Sequence, residues 1–102
     1  MRYHADVSTI AALLADRARA SIVGALLDGR ALPAGELARI ARVSPQTGCS
    51  RLAKLSDGGL LAVRPQGRHR YYAIATADVA GGVEALSAIA PMPRIRSLSQ
   101  SV

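Results

Sequence analysis

The residues with the most capacity for chemistry in this chain are cationic, and they are clustered. Residues 39–70 contain seven Lys and Arg side chains and one acid, Asp57, so this segment accounts for the whole formal net charge of +6. The seven cations are Arg39, Arg42, Arg51, Lys54, Arg64, Arg68 and Arg70. A basic segment inside an otherwise neutral chain predicts a surface that meets a polyanion, most commonly nucleic acid.

The first half of this basic segment predicts a helix with one polar face. Ser44 supplies a capping oxygen, and Pro45 is tolerated at the first helical position because its missing N–H has no partner there. A helix over residues 45–57 would bury Leu52 and Leu55. Its other side would present short polar and cationic side chains to base edges and phosphates. The candidate contact residues are Ser44, Gln46, Thr47, Ser50, Arg51 and Lys54.

The second half of the basic segment predicts a hairpin. Two extended runs, residues 61–64 and 69–74, are joined by Pro65-Gln66-Gly67-Arg68, whose Pro and Gly favour a turn. The thin loop would carry four more candidate contacts, suited to the DNA backbone or the minor groove. They are Arg64, Arg68, His69 and Arg70.

Cap and stop signals divide the rest of the chain into helices. Helix starts are predicted where short polar residues can cap, at Ser8, Asp16 and Thr76. Gly29 and Pro91 predict the ends of the second and last helices. A third short helix over residues 34–41 would turn Leu37 and Ile40 inward. The order α-α-α-α-β-β-α is a mainly α fold with a small β-hairpin, and it predicts a winged helix-turn-helix.

Length and composition predict one domain and no catalytic role. At 102 residues the chain has room for one core, so we expect a DNA-binding and dimerisation domain over residues 1–90 and a flexible tail over residues 91–102. No phosphate-binding Gly loop or linked nucleophile and base is present, so we expect neither an enzyme nor a cofactor. No apolar run has the length of a membrane span, and a cytoplasmic location is expected.

Six sequence motifs resemble the ArsR/SmtB family of bacterial winged-helix repressors. They are Asp16-Arg17-Ala18-Arg19, Gly35-Glu36-Leu37-Ala38, Val43-Ser44-Pro45-Gln46-Thr47, Leu52-Ala53-Lys54-Leu55, Gly59-Leu60-Leu61 and Gly67-Arg68-His69-Arg70-Tyr71-Tyr72. The resemblance covers residues 8–90 and implies a homodimer, joined through the first and last helices, that binds double-stranded DNA at an inverted-repeat operator and represses transcription. The residues expected at the dimer interface are Ile10, Leu13, Leu14, Val79, Val83 and Leu86.

The chain lacks the metal ligands that sensors of this family carry. The third helix has no Cys pair, and the last helix has Asp78 and Glu84 but no His, so no metal site is predicted. His4 and Asp6 remain an alternative source of ligands between subunits.

Three further departures concern the predicted helix-turn-helix and its caps. Arg42 stands where the family places a turn Gly, and in a left-handed conformation it would cost about 1 kcal/mol. Gly48 falls on the inward face of the helix, where it costs about 1 kcal/mol relative to Ala. Pro33 replaces the expected hydroxyl cap of the third helix. We therefore expect a recognition unit that is looser than average when free.

Cys49 has two interpretations. It is either a small residue in the place of a family Ser or a thiol switch, because oxidation or alkylation would put bulk or charge against DNA. A gel shift before and after mild peroxide, with Cys49→Ser as control, separates the two. Equal loss of binding in both proteins would exclude the switch.

Two other functions are open from the sequence. The chain could be a winged-helix interaction module that dimerises or docks without reading DNA. Reversing Arg51 and Arg68 to Glu would then leave its assembly intact, whereas it would abolish DNA binding by a regulator. The chain could also be part of a longer regulator that continues into a C-terminal domain holding the effector site.

Overall fold

The computed structural model describes residues 6–91 of the chain as five helices and a small sheet. The elements are α1 (Val7–Leu14), α2 (Arg17–Ala25), β1 (Leu32–Pro33), α3 (Ala34–Ala41), α4 (Pro45–Asp57), β2 (Leu61–Gln66), β3 (His69–Ile74) and α5 (Ala77–Ile89). The winged helix-turn-helix order is therefore confirmed, with one short strand added between α2 and α3. Apart from Pro91, the predicted flexible tail lies outside the described residues.

Three of the predicted helix starts involve side-chain caps. The carboxylate of Asp16 accepts the Arg19 backbone N–H at 2.9 Å, and the Ser44 hydroxyl accepts that of Thr47 at 3.1 Å. Thr76 accepts the Val79 N–H at 3.2 Å in the same way. Each cap satisfies one of the N–H groups that a first helical turn leaves without a carbonyl partner.

The predicted start of α1 at Ser8 is wrong. The helix begins at Val7 with Asp6 in the capping position, and Ser8 lies inside the first turn. The hydroxyls of Ser8 and Thr9 donate to the Asp6 carboxylate. Asp and Ser are equally good caps, so the sequence did not distinguish a start at either residue.

The sheet has the strand order β1-β3-β2, and all pairing is antiparallel. Strand β2 runs two residues further than predicted, to Gln66, which pairs with His69. Pro65 is tolerated because β2 is an edge strand, where a missing N–H faces solvent. The loop is then only Gly67-Arg68, with positive φ at Gly67 alone, as in the type II′ turns that match the twist of a hairpin.

The core lies where α2, α3 and α4 meet the base of the hairpin. Its apolar side chains are Ile22, Val23, Leu26, Leu37, Leu52, Leu55, Leu60 and Leu61. The prediction that Ile40 faces inward is wrong, since 40% of it is exposed. Leu37 and Ala38 are buried and Ala41 is partly buried, so the buried stripe of α3 turns away from Ile40.

Arg42 ends α3 in the left-handed conformation, with φ 61° and ψ 44°. A side chain costs about 1 kcal/mol there that Gly does not. We expect Arg42→Gly to raise the free energy of unfolding by about this amount, measured by urea denaturation. Arg42→Ala keeps the Cβ and should give no such gain. A gain of equal size in the Ala variant would place the cost in the Arg side chain instead of the backbone.

Candidate nucleic-acid interface

Helices α3 and α4 form the helix-turn-helix, joined by the three residues 42–44. Helix α4 buries Leu52 and Leu55 in the core, and Gly48 is buried on the same side against α3. The opposite side of α4 is free of contacts with the core. The burial pattern therefore confirms the inward face that the sequence predicted for this helix.

Gly48 allows α3 and α4 to approach closely. A Cβ on Gly48 would lie 2.7 Å from the Ala38 Cβ and 3.3 Å from the Ala38 Cα. Neither neighbouring atom is the end of a flexible side chain, so the helices would have to separate. The sequence predicted only that Gly48 lowers the helix propensity of α4. The structure shows that the packing of α3 against α4 requires a residue without a Cβ at this position.

We expect Gly48→Ala to destabilise the protein by about 1–3 kcal/mol, the usual range for overpacking a core. This sign is opposite to that of Gly→Ala at a helix site with open space, where Ala is favoured by about 1 kcal/mol. Urea denaturation of Gly48→Ala, Ala38→Gly and the double variant measures it. The double variant should recover most of the loss, because it removes the methyl group that the new Cβ meets. Stabilisation by Gly48→Ala alone would contradict the close approach.

The exposed face of α4 is polar and small. It consists of Gln46, Cys49, Ser50, Ala53, Lys54 and Asp57. Gln46 and Ser50, two of the predicted contact residues, are exposed near its centre, one turn apart. Cys49 is exposed on this face. Both interpretations of its thiol therefore stay predictions.

Ser44 and Thr47 have structural partners at the start of α4. The Ser44 oxygen caps the helix through the Thr47 N–H, and its hydroxyl lies 3.1 Å from the Thr47 hydroxyl. Ser44 is exposed and Thr47 is half-buried. Both residues can still meet phosphate at the positive end of the helix dipole.

Arg51 lies on the flank of α4 and not at the centre of its exposed face. Its Nε donates to the Asp16 carboxylate at 3.1 Å, with about a third of the Arg51 side chain exposed. The Arg19 backbone N–H, then the Arg51 and Arg19 charges, hold the pKa of the Asp16 carboxyl below its usual value, although desolvation opposes the shift. Asp16 therefore stays charged at neutral pH. The stability that its bonds to Arg19 and Arg51 contribute is lost only as the pH falls through the lowered pKa of the Asp16 carboxyl.

The hairpin divides its cations between two faces. Residues opposite one another or two apart share a face, so Arg64, His69 and Tyr71 lie on one side and Arg70 on the other. The rings of His69 and Tyr71 meet edge to face with centroids 6.5 Å apart. Arg68 occupies the tip, and all four predicted contact residues of the hairpin are exposed.

Helices α1 and α5 leave apolar surface uncovered. Neither helix has a buried residue. Of the six residues predicted at a dimer interface, Leu13, Leu14, Val79 and Val83 pack in part on the core, whereas Ile10 and Leu86 are 40% and 49% exposed. Val7 and Ile89, 70% and 81% exposed, extend the same helices and were not singled out from the sequence. Val7 precedes the predicted helix start at Ser8 and was missed for that reason, although Val7 and Ile89 lie three residues from Ile10 and Leu86, at helical spacing.

Neither a metal site nor a membrane span is found among residues 6–91. This part of the chain contains no group of three His, Cys, Asp or Glu residues that could hold a metal ion. Of the alternative ligands, His4 lies outside the described residues, and Asp6 accepts hydrogen bonds from two hydroxyls. No helix of the described range is long and apolar enough to cross a bilayer.

The family model for the helix-turn-helix domain matches residues 14–64 of the chain. An uncharacterised HTH-type transcriptional regulator of Bacillus subtilis, YdfF, is 45% identical over 96 residues. This match covers 94% of the chain and 42% of YdfF, so the chain spans less than half the length of this relative.

Solved structures match the fold over most of the chain. The homodimeric winged helix-turn-helix DNA-binding domain of Mb0332 from Mycobacterium bovis, described as a possible ArsR-family regulator, is 26% identical with a TM-score of 0.75. That match covers 87% of the chain and 89% of the solved domain. The transcriptional repressor BigR of Xylella fastidiosa has the same TM-score at 24% identity, covering 86% and 89% of the two chains. The chain belongs to the helix-turn-helix domain family, and its structural neighbours are winged-helix regulators of the ArsR/SmtB family.

Proposed function

We propose that this chain binds double-stranded DNA in a sequence-specific manner, as a homodimer on an inverted-repeat operator, and represses transcription there. The observation that carries the proposal is the exposed polar face of α4 beside an exposed hairpin with four basic or imidazole side chains. Both lie in the segment that holds the whole net charge of the chain. The homodimeric Mb0332 domain and the repressor BigR support the assembly and the direction of regulation.

The face of α4 suits the major groove. An α-helix fits this groove, and the side chains at its centre must then be short or planar to reach base edges. Gln46 can pair with adenine through two hydrogen bonds, and Ser50 can donate to or accept from any base. Lys54 and Thr47 lie toward the flank, where phosphates pass. We assign base reading to Gln46 and Ser50, with Arg51 joining them from the flank.

The hairpin suits a narrow groove because its cations point both ways. Both walls of a DNA groove are lined with phosphates, so a thin ribbon inserted between them can use charges on either face. Arg64 and His69 would meet one wall and Arg70 the other, with Arg68 at the tip. These contacts carry affinity for any sequence and little specificity.

The apolar surface of α1 and α5 supports the proposed dimer. A two-fold interface uses the same patch of both copies, and burying exposed apolar side chains is what stabilises such a contact. We propose that Ile10, Leu13, Leu14, Val79, Val83 and Leu86 form it, together with Val7 and Ile89. Two recognition helices would then face successive major grooves on one side of the duplex.

Selection of bound duplexes from a random DNA pool at moderate salt tests the proposal. The expected result is an enriched inverted repeat with half-sites about one helical turn apart. Repeating the selection with Gln46→Ala should change the enriched sequence, whereas Arg70→Ala should weaken all binding and flatten its salt dependence. No enrichment, with only salt-sensitive retention, would support the interaction module instead.

A further inference from the structure

The α1–α2 corner, residues Ala15 and Asp16, is bonded to both helices beside it and to α4. One oxygen of Asp16 accepts the Arg19 N–H at 2.9 Å and the Arg51 Nε at 3.1 Å. The Arg19 guanidinium in turn donates to the carbonyls of Leu13 at 2.7 Å and Ala12 at 3.0 Å, at the end of α1. A single carboxylate thus ties the recognition helix to the corner between α1 and α2.

The same corner is held by packing as well as by hydrogen bonds. Leu13 lies so close to Gly58, just after α4, that a Cβ on Gly58 would collide with its side chain. The end of α1 therefore packs beside the end of α4. Together with the Arg19 bonds to the Leu13 and Ala12 carbonyls, this contact places the Asp16 carboxylate next to Arg51.

Asp16 engages only one edge of the Arg51 guanidinium. The bond uses the Nε–H, whereas the bidentate pairing of Arg with guanine or phosphate can use the two terminal Nη groups. A free Arg side chain samples many rotamers, and much of this freedom is lost when it binds. An Arg51 already held by its Nε would lose less.

We propose that Asp16 is a positioning residue for DNA recognition, which holds Arg51 by its Nε edge and leaves its Nη groups for the duplex. This inference rests on the proposed function, because it assigns a role in sequence discrimination. In this proposal the Asp16 carboxylate both caps α2 and orients the Arg51 side chain. It also explains how a half-buried Arg on the flank of α4 takes part in recognition.

Asp16→Asn distinguishes the positioning of Arg51 from a simple charge effect, because the two change the affinity for the selected duplex in opposite directions. Asn caps helices as well as Asp does, so the start of α2 is retained. Its neutral oxygen can hold Arg51 only through a hydrogen bond about half as strong as the charge-assisted one, so the positioning is weakened. Removing a negative charge near DNA tightens binding to every duplex if electrostatics alone acts. Loss of positioning weakens binding to the selected duplex, but not to random DNA. We expect the ratio of the two affinities to fall about three- to tenfold for each half-site, the range for freeing one side chain.

Glu36→Gln is the matched control. Glu36 is an exposed acid on α3, outside the exposed face of α4, and it makes no ion pair within residues 6–91. Its removal should tighten binding to selected and random duplexes alike and leave their ratio unchanged. In an Arg51→Ala background, Asp16→Asn should also leave the ratio unchanged, because the side chain that it positions is gone. Thermal unfolding of each variant confirms that the fold is retained.

A readout without DNA tests the contact itself. In the free protein, the NMR signal of the Arg51 Nε–H should be displaced from those of exposed arginines, and Asp16→Asn should move it to their position. An unchanged signal would overturn the inference, and so would Asp16→Asn with an unchanged affinity ratio. If the wild type enriches no duplex, the proposed function fails and this inference with it. If it enriches one and Asp16→Asn discriminates equally well, only this inference fails.

Discussion

Reversing two charges of the hairpin together, Arg68→Glu with Arg70→Glu, is expected to abolish DNA binding while leaving the fold and the assembly unchanged. Both side chains are exposed and neither makes a salt bridge within the described residues. At about 0.1 M salt, each lost phosphate contact costs about tenfold in affinity through counterion release. Two losses in each protomer are four in the proposed dimer, so affinity should fall about 10⁴-fold before repulsion is added.

The salt dependence of binding distinguishes a lost contact from a damaged protein. The slope of log K against log salt should decrease by about 0.9 for each phosphate contact removed. Fluorescence anisotropy with the selected duplex and with random DNA should show the same loss, because these contacts are independent of sequence.

A charge-matched variant provides the control for the hairpin. Arg94→Glu with Arg96→Glu changes the net charge by the same amount outside residues 39–70. If it reduces affinity as much as the hairpin variant does, net charge and not the hairpin carries the binding. Arg51 is unsuited to charge reversal, since Glu there would place a second carboxylate against Asp16. The loss of binding could then come from a disturbed corner.

Leu86→Glu is expected to convert the proposed dimer into monomers. Leu86 is exposed on α5, beside a groove lined by Leu14, Ala20, Gly24 and Val83. A two-fold interface contains the substitution twice. Burying the exposed half of each Leu86 contributes about 0.8–1.5 kcal/mol, and the cost of desolvating each Glu carboxylate adds at least as much. Loss of about 3–6 kcal/mol raises the dimer dissociation constant about 10²- to 10⁴-fold. Sedimentation equilibrium measures this change directly.

The same variant should separate assembly from DNA contact. Affinity for the full inverted repeat should fall, while binding to a single half-site is retained, because α4 and the hairpin are untouched. Ile40→Glu is the matched control, since Ile40 is an apolar residue of similar exposure on α3. It should remain dimeric. A Leu86→Glu protein that also remains dimeric would remove α5 from the proposed interface.

The elements that depend on neighbouring residues in the chain were predictable. The caps at Asp16, Ser44 and Thr76 act within one helical turn, and so their residue types identify helix starts without knowledge of the fold. The period of Leu52 and Leu55 likewise identifies the buried side of α4. Signals became ambiguous where two residues could serve equally, as Asp6 and Ser8 do at the start of α1.

The features that depend on distant residues were decided only by the tertiary structure. Strand β1 has two residues and exists because Leu32 and Pro33 meet Tyr72 and Tyr71 on β3. The inward Gly48 was predictable, but its reason, the Ala38 methyl on another helix, was not.

The basic segment and the helix order were enough to indicate a winged helix-turn-helix, because charge and hydrophobic period are properties of the chain itself. The sequence also predicted that Asp16 caps a helix and that Arg51 contacts DNA, in each case from the neighbouring residues in the chain. Only folding brings these two residues, 35 positions apart, to 3.1 Å. Which face each cation of the hairpin occupies also had to await the strand register, since a shift of one residue exchanges the two faces.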